Sequence, residues 1–191
     1  ALNIPDKAYS DAGARIVTRE QALQQTVVCD PKIGDADFLD RINEQQIIFG
    51  WVHAERNFEL TTRLLKRKIT ALAWENMNRN GRHVFWRNNE LAGEAAVLHA
   101  LTLFGKLPYE CKVAVIGRGN TGRGAFRILT SLGADVTVYN RRTEELLRQE
   151  ISQYDIVVNS VFWDIARRDY IISRKELQQM KRPSMIIDVS C

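Results

Sequence analysis

The sequence is poor in several features that mark whole classes of protein. It has only three cysteines, Cys29, Cys111 and Cys191, which are odd in number, widely spaced and without a CxxC pair. This pattern argues against a disulfide framework and against a zinc site, and it favours a reducing cytoplasm. The chain also lacks an apolar run long enough to cross a bilayer, and no signal-peptide pattern opens it.

A large excess of positive or negative charge is missing as well. The formal net charge is +4 and the basic residues are scattered, so we expect a small anionic ligand rather than nucleic acid. Repeats and low-complexity segments are absent from the sequence, and an apolar content of 45% favours a globular fold. The chain begins without methionine and stops at Cys191 directly after an apolar strand pattern. We therefore expect a fragment, or a natural remnant, of a longer enzyme.

A glycine-rich turn stands at the centre of residues 112–142, KVAVIGRGNTGRGAFRILTSLGADVTVYNRR. An apolar β-branched run precedes it and a helical pattern follows it. In such a unit Gly117 permits the turn, Gly119 lets backbone amides approach a pyrophosphate, and Gly122 lets helix and strand pack closely. The helix N-terminus would point at the negative charge, so we predict dinucleotide binding. The predicted residues of this turn are Gly117, Gly119, Asn120, Thr121 and Gly122.

The end of the next strand pattern, at residues 135–139, indicates which dinucleotide is bound. An NAD enzyme usually carries an acidic residue there, which binds the ribose 2′-hydroxyl. This chain has Asn140, Arg141 and Arg142 instead, and two guanidinium groups can pair with a 2′-phosphate that no carboxylate repels. We therefore predict NADP(H) as the cofactor. The alternative is that the arginines belong to a solvated loop.

The rest of the chain alternates strand and helix patterns. Residues 26–74 follow a β-α-β-α-β order, with one helix from Asp35 to about Ile42, and this order predicts a parallel sheet covered by helices. Residues 76–88 are polar and irregular. Residues 89–104, NELAGEAAVLHALTLF, are small and apolar on almost every side, which predicts a helix that is buried between two domains.

We therefore expect an α/β fold of two Rossmann-like parallel-sheet domains, the first incomplete, joined by the buried helix. The expected parts are a partial substrate domain (1–87), an interdomain helix (88–105) and an NADP(H)-binding Rossmann domain that lacks its C-terminal part (106–191). Ligands of such sheets bind at the carboxyl ends of the strands. The loops after Ile116, Tyr139 and Val161 should therefore face a cleft.

Lys32 and His53 are the candidate catalytic residues. Each lies at or just after the carboxyl end of a predicted strand, so both could face the same cleft. A lysine can hold a carboxylate or polarise a carbonyl, and a histidine can carry protons at neutral pH. The plainer alternative is a solvated lysine and a capping histidine. Asn159 and Ser160 end the strand that normally passes beside the nicotinamide, so either could bind the cofactor; we predict no metal site.

The order of these segments resembles the alanine dehydrogenase and pyridine nucleotide transhydrogenase family. The resemblance rests on Lys32, on IIFGWVH at 47–53, on NELAGEAAVLHAL at 89–101, on VAVIGRGNTGRGAF at 113–126 and on MIIDVS at 185–190. It covers nearly the whole chain in order. The GWVH segment and the AGEAAVLHA helix are more specific than the glycine motif.

The resemblance implies an NADPH-dependent reductive condensation of pyruvate, or another small 2-oxo acid, with the side-chain amine of ornithine or lysine. Family members use a lysine and a histidine in the substrate domain, and these roles fall on Lys32 and His53. Lys32 would bind the pyruvate carboxylate or carbonyl oxygen, and His53 would relay protons. Family members also carry an N-terminal stretch with a substrate-binding arginine and a C-terminal segment with an acidic residue near the nicotinamide. We expect both parts to be missing here.

Two other functions stay open at this stage. A truncated NADP(H)-binding remnant would bind the cofactor without turnover. An amino-acid dehydrogenase of the alanine dehydrogenase type would use free ammonia and would usually prefer NAD, which the Asn140 to Arg142 segment argues against. The expected partners are small-molecule substrates, with no nucleic acid and no membrane, and a homo-oligomer is left open.

Overall fold

The protein folds into two compact units, Ala1–Val84 and Phe85–Cys191. The structure is a computed structural model that describes residues 3–162 and 167–189. Each unit contains a parallel sheet with helices, so the predicted α/β class is confirmed. In the part of the chain that the structure describes, no helix is long and apolar enough to span a membrane.

The first unit begins with two short helices that have recognisable capping residues. Helix α1 (Asp6–Asp11) ends before Gly13, which has a φ of 93°, a region that favours glycine. Helix α2 (Arg19–Ala22) starts with a capping box, in which the side chains and amides of Thr18 and Gln21 bond reciprocally. The following elements are β1 (Val27–Cys29), β2 (Ile47–Gly50), α3 (Phe58–Lys66) and β3 (Thr70–Ala73).

The sheet of the first unit has the order β1-β2-β3, and both pairs are parallel. Its core consists of apolar side chains from the sheet, from α3 and from the loops between them. The buried members are Leu23, Val28, Ile33, Phe38, Leu39, Ile42, Ile48, Val52, Leu60, Leu64 and Ile69. Because the strands are parallel, the segments that follow their carboxyl ends meet at one edge of the sheet.

The prediction of a helix from Asp35 to about Ile42 is wrong. The chain forms two single 3₁₀ turns, Ile33–Asp35 and Leu39–Arg41, separated by the extended residue Ala36. Tertiary contact explains the difference. The Gly34 amide donates to the Trp51 carbonyl at 3.0 Å, and a Cβ on Gly34 would lie 2.2 Å from the carbonyl oxygen next along the chain, that of residue 52.

The irregular segment predicted at residues 76–88 contains regular structure. A short antiparallel hairpin joins β4 (Asn78–Arg79) to β5 (Arg82–His83). The two residues between them, Asn80 and Gly81, have φ values of 51° and 74°, as a tight two-residue hairpin turn requires. The helix that follows begins at Trp86, three residues earlier than the sequence pattern indicated.

The second unit is a four-stranded parallel sheet with helices. Its elements are α4 (Trp86–Phe104), β6 (Lys112–Ile116), α5 (Asn120–Ser131), β7 (Asp135–Tyr139), α6 (Glu144–Glu150), β8 (Ile156–Asn159), α7 (Arg174–Gln179) and β9 (Met185–Asp188). The strand order is β7-β6-β8-β9. After β7 the chain crosses to the other side of β6, so the order reverses between β6 and β8. Open sheets of this kind bind ligands in the crevice at such a switch point.

Helix α4 packs against α5 at two glycines. A Cβ on Gly93 would lie 2.1 Å from the Thr121 carbonyl oxygen, and a Cβ on Gly124 would lie 1.9 Å from the Glu90 carbonyl oxygen. The two helices therefore touch backbone to backbone. Leu98, elsewhere on α4, is 46% exposed. Leu103 is 71% exposed, whereas Val97 and its neighbours pack into the core of the second unit. The prediction that this apolar helix is buried is therefore wrong for one of its faces.

Asp155 closes the amino end of the second sheet. Its carboxylate accepts hydrogen bonds from the Lys112 amide and from the ammonium groups of Lys106 and Lys181, each at 3.0 Å, and the residue is 4% exposed. Burial alone would raise the pKa of Asp155. The three donors outweigh burial and lower the pKa to about 2.

Candidate functional site

Lys32 and His53 occupy equivalent positions in the first sheet. Lys32 lies three residues after the end of β1, and His53 lies three residues after the end of β2. Both side chains are exposed. Their loops are joined, because the Trp51 amide donates to the Pro31 carbonyl at 3.3 Å and the Gly34 amide donates to the Trp51 carbonyl. The structure thus brings the two loops with the predicted catalytic residues to one edge of the sheet.

Stacked rings orient His53. Its imidazole lies 6.2 Å from the Trp51 indole at an interplanar angle of 10°, and the His83 imidazole lies 5.8 Å from the same indole at 9°. Nε2 of His83 lies 3.0 Å from the Trp74 carbonyl and 3.1 Å from the Glu75 carbonyl. Since carbonyl oxygens only accept, this nitrogen carries the proton and donates. The sequence pattern had not singled out His83.

Glu75 holds His53 from the segment after β3. Its Oε1 accepts a hydrogen bond from the His53 amide and lies 3.4 Å from Nδ1 of the ring. His53 has a φ of 54°, in the left-handed region that residues other than glycine seldom adopt. Such strain is concentrated at functional sites. Oε2 of Glu75 is buried and, among the described residues, has no hydrogen-bond partner.

This arrangement suits proton transfer. The His53 side chain is 54% exposed and the Glu75 side chain is 23% exposed, so the imidazole is open to a substrate while the carboxylate supports it. A carboxylate beside one ring nitrogen fixes the tautomer and leaves the other nitrogen for proton transfer. Lys32 adds a cation at the same sheet edge. In the described chain no group of three or more His, Cys, Asp or Glu side chains is placed to hold a metal ion.

The glycine turn joins β6 to α5 in the second unit. Gly117 has a φ of 111°, which favours glycine. A Cβ on Gly122 would lie 2.5 Å from the Gly117 carbonyl oxygen and 2.7 Å from Oγ of Ser160, so strand end and helix start are too close for a side chain. A Cβ on Gly119 would meet nothing within 4 Å. Gly119 therefore borders open space beside the N-terminus of α5, which suits a pyrophosphate.

Asn120 and Thr121 form the first turn of α5 and are half-buried. Oδ1 of Asn120 accepts a hydrogen bond from Arg123 at 2.5 Å, and Arg123 also lies 3.5 Å from Glu90 of α4. Burial raises the pKa of Glu90, but hydrogen bonds from Arg87 and other arginines outweigh it, so the pKa is lowered. Glu90 stays ionised and ties α4 to the start of the glycine-turn helix.

Asn159 and Ser160, at the end of β8, already have partners within the unit. Oγ of Ser160 donates to the Ile116 carbonyl at 2.7 Å, and Nδ2 of Asn159 donates to Asp188 at 3.2 Å. Through these bonds Ser160 shapes the glycine turn and Asn159 joins β8 to β9. A direct contact of either residue with a cofactor stays a prediction.

Asn140 folds the loop after β7 into a tight turn. Its Oδ1 accepts from the Arg142 amide at 2.9 Å, and its own amide donates to Oγ1 of Thr143 at 2.9 Å. This turn directs Arg141 into the wall of a cavity of about 110 Å³, whose described lining does not include Arg142. The cavity is lined by Ile116, Asn140, Arg141, Glu144, Val161, Phe162, Arg167 and Ile171. The end of β6 and the loops after β7 and β8 thus border one cavity within the second unit.

Glu144 corrects one step of the cofactor interpretation. The NADP(H) prediction assumed that no carboxylate lies near the end of β7, yet Glu144 lines this cavity with its side chain 12% exposed. Arg148 lies 2.5 Å from its Oε1, and Arg167 donates to its Oε2 at 2.8 Å. The hydrogen bonds that Arg167 donates to Glu144 and then to Asp169 raise the pKa of Arg167 above its already high value, so the guanidinium stays charged.

Family models match both parts of the chain. Residues 1–86 match the model described as alanine dehydrogenase/PNT, N-terminal domain. Residues 77–190, more than half of the chain, match the model described as D-isomer specific 2-hydroxyacid dehydrogenase, NAD binding domain. The predicted resemblance to the alanine dehydrogenase and transhydrogenase family is therefore confirmed, and the second unit is a domain that binds a nicotinamide cofactor.

Curated relatives match over nearly the whole chain. N(5)-(carboxyethyl)ornithine synthase of Lactococcus lactis subsp. lactis is 29% identical over 206 aligned residues, which cover 99% of this chain and 65% of the relative. The enzyme of the same name from Clostridium botulinum is 25% identical with the same coverage. Alanine dehydrogenase 2 of Staphylococcus aureus is 26% identical, over 97% of this chain and 59% of the relative.

Solved structures share the fold. A transhydrogenase from Sinorhizobium meliloti superimposes with a TM-score of 0.76 at 22% identity, over 96% of this chain and 64% of the other. An L-alanine dehydrogenase superimposes with a TM-score of 0.75 at 20% identity, over 98% of this chain and 62% of the other. The predicted Rossmann-like fold is confirmed.

The chain spans somewhat less than two thirds of the length of these relatives. The second unit has the glycine turn and the strand order of a dinucleotide-binding domain, and a family model of such a domain matches it. The alanine dehydrogenase/PNT model matches the first unit. The chain belongs to the family of the D-isomer specific 2-hydroxyacid dehydrogenase NAD binding domain, and the residues in front of that domain match the model of the alanine dehydrogenase/PNT N-terminal domain.

Proposed function

We propose that the second unit binds NADP(H). The observation that carries this proposal is Arg141 in the cavity wall directly after Asn140, which stands where NAD enzymes usually carry an acidic residue. A guanidinium matches a phosphate monoester in charge and geometry. The turn fits the rest of such a cofactor, because Gly119 borders open space and α5 begins beside it.

We further propose that the whole protein condenses pyruvate, or another small 2-oxo acid, with the side-chain amine of ornithine or lysine. The amine attacks the keto carbon, the carbinolamine loses water to give an imine, and the imine carbon is reduced to a secondary amine. The bound cofactor supplies the hydride. The similarity to N(5)-(carboxyethyl)ornithine synthase along 99% of this chain supports this reaction.

The proposed roles in the first unit fall on Lys32 and His53. The Lys32 ammonium binds the pyruvate carboxylate or polarises its carbonyl oxygen, which makes the keto carbon more electrophilic. The His53 imidazole takes a proton from the attacking amine and returns one to the departing hydroxyl. The contact of Glu75 with the His53 amide and Nδ1 supports this role, since it fixes the ring that must move the proton.

A second candidate is an amino-acid dehydrogenase that uses free ammonia. The similarity to alanine dehydrogenase 2 of Staphylococcus aureus favours it, and the same lysine and histidine chemistry would serve. Such enzymes usually prefer NAD, so the cofactor separates the two candidates. A chain that binds NADP(H) without turnover is the third candidate.

The first test is a titration of this chain with NADPH and, separately, with NADH, followed by nucleotide fluorescence. We expect NADPH to bind about 10- to 100-fold more tightly than NADH, because one or two charge-assisted hydrogen bonds to the 2′-phosphate contribute about that factor. Arg141→Ala should remove most of that preference, and Arg142→Ala should remove less, because only Arg141 is in the described cavity lining. Equal affinity for both nucleotides, or tighter NADH binding, would contradict the proposal.

Turnover separates the remaining candidates. In a form of the protein as long as its relatives, NADPH oxidation with pyruvate should require ornithine or lysine. Oxidation that runs with ammonia alone would favour the dehydrogenase. Binding without oxidation under any of these conditions would favour the remnant.

A further inference from the structure

The cavity that holds Arg141 also holds a carboxylate. Glu144 is in its lining, and its side chain is only 12% exposed. A carboxylate in the same cavity as a phosphate would repel it, because both charges are partly removed from water and neither is fully screened. A site that binds a 2′-phosphate here must therefore neutralise Glu144.

Two arginines neutralise Glu144, and their surroundings differ. Arg148 is four residues along the same helix and donates to the carbonyls of Tyr170 and Ile171 at 3.1 and 3.0 Å as well as to Glu144. It therefore fastens the segment around residue 170 to α6. Arg167 comes from the loop after β8, lies in the cavity lining and has a side chain 14% exposed.

Arg167 contacts both oxygens of Glu144. Nη1 donates to Oε2 at 2.8 Å and Nη2 donates to Oε1 at 2.5 Å, which is the two-pronged geometry of a strong guanidinium–carboxylate pair. On its other side it pairs with Asp169 at 2.9 Å, and Asp169 is 69% exposed. Asp169 is thus screened by water, whereas Glu144 depends on its arginines.

We propose that Arg167 is a specificity-determining residue for the dinucleotide: by pairing with Glu144 it removes the negative charge that would otherwise exclude a 2′-phosphate from this cavity. The inference rests on the proposed NADP(H) binding and adds a residue from a different loop to it. Arg141 supplies attraction, and Arg167 removes repulsion. Specificity then depends on both loops. Without Arg167 the Glu144 carboxylate would keep only Arg148 as its partner, and without Arg141 the remaining cation of the cavity lining would be Arg167, which Glu144 already holds.

A purely mechanical role for Arg167 makes a different prediction. If Arg167 only clamps the loop after β8 to α6, its loss should disturb the cavity for NADPH and NADH alike. Removing Glu144 as well should not help, because the clamp would still be broken. If the charge matters, removing both partners restores the charge balance of the wild-type cavity, and NADPH binding returns.

The test is therefore a set of dissociation constants for NADPH and NADH in the same chain. Arg167→Met should raise the dissociation constant for NADPH about 10-fold or more and that for NADH less than about 3-fold. The reason is that the Glu144 carboxylate loses this partner and repels the 2′-phosphate, which only NADPH carries. The double variant Glu144→Gln with Arg167→Met should bring the NADPH constant back to within about 3-fold of wild type. Arg167→Lys, which keeps the charge, should retain most of the preference.

Arg168→Met is the matched control, because Arg168 is the next residue, carries the same charge and is exposed. It should leave both constants unchanged, and circular dichroism should show that every variant is folded. The inference is overturned if Arg167→Met weakens NADPH and NADH binding equally, or if NADPH binding does not recover in the double variant. The proposed cofactor still stands in that case, provided that the wild type prefers NADPH. A wild type without that preference would instead overturn the cofactor proposal itself.

Discussion

The two units of the protein use charge in opposite ways. In the first unit the ion pair of Lys68 and Glu44, at 3.1 Å, has side chains 71% and 57% exposed. In the second unit three acidic partners are withdrawn from solvent, with side-chain exposures of 3% for Glu90, 6% for Asp155 and 12% for Glu144. Exposed pairs contribute little to stability, whereas breaking a buried pair is costly.

This difference separates groups that hold the structure from groups that are free to meet a substrate. The buried carboxylates of the second unit connect its helices, strands and loops. In the first unit the apolar core holds the sheet, and the charged groups near the strand ends are exposed. Glu75 lies between these two cases, because its half-buried side chain, 23% exposed, contacts the exposed His53. Substitutions at this pair therefore test the contrast between the two units.

The largest effect is expected at His53. Replacing it with Gln should lower turnover by roughly 10²- to 10⁴-fold, because a positioned acid and base contributes about that factor. Cofactor binding and thermal stability should change little, since the side chain is exposed. The measurement is kcat in a form of the protein that turns over, with His99→Gln on α4 as the matched control. Unchanged turnover in His53→Gln would remove it from the mechanism.

Asp155→Asn should give the largest loss of stability. Losing the charge between Lys106 and Lys181 is expected to cost about 2 kcal/mol, in line with a pKa lowered from 3.8 to about 2. Hydrogen exchange of the β6 and β8 amides measures the second unit by itself, and their protection should fall accordingly at pH 7. Protection equal to wild type would show that the buried pair is not stabilising.

Acid should remove the same stabilisation from the wild type. The pKa of Asp155 is lower in the folded chain than its ordinary value of 3.8, so the unfolded chain takes up the proton first as the pH falls. The contribution is therefore fully present above about pH 4 and is lost as the pH falls toward about 2. In Asp155→Asn this part of the acid dependence should be missing.

Glu75→Gln should have an intermediate effect, on turnover. Gln keeps an oxygen that can accept from the His53 amide but removes the negative charge 3.4 Å from Nδ1. We expect kcat to fall about 10-fold with an altered pH profile, as for loss of a group that orients a catalytic side chain. Glu55→Gln, an exposed neighbour in the same unit, is the control. A pH profile identical to wild type would exclude this role.

Glu44→Gln should have the smallest effect. The pair with Lys68 is exposed on both sides, so its loss should change stability by less than about 0.5 kcal/mol. Hydrogen exchange in β1, β2 and β3 measures it. A loss as large as that in Asp155→Asn would contradict the contrast between the two units.

Local signals predicted the regular elements well. Strand β7 has the predicted bounds, 135–139, because its alternating apolar pattern is contained in its own residues. The glycine turn was predictable for the same reason. The prediction of a helix at residues 35–42 was wrong because Gly34 contacts the segment after β2. A local sequence pattern does not contain this contact.

The candidate site was predictable only in part. Lys32, His53 and Arg141 follow strand ends, which a sequence can indicate. Glu144 and Arg167 are 23 residues apart, and only the fold makes them a pair. Similarly, Glu75 reaches His53 across 22 residues. Such long-range pairing depends on strand order and loop path, for which the sequence carries no short-range signal.

The bonds between the Lys32 and His53 loops have a consequence for substrate binding. A Cβ on Gly50 would lie 1.9 Å from the carbonyl oxygen of Asp30, so the chain segments that carry the two groups are locked backbone to backbone before any substrate arrives. The backbone positions from which the two proposed catalytic side chains extend are then set before any ligand binds. Substrate binding therefore costs no conformational entropy for bringing the two backbone segments together.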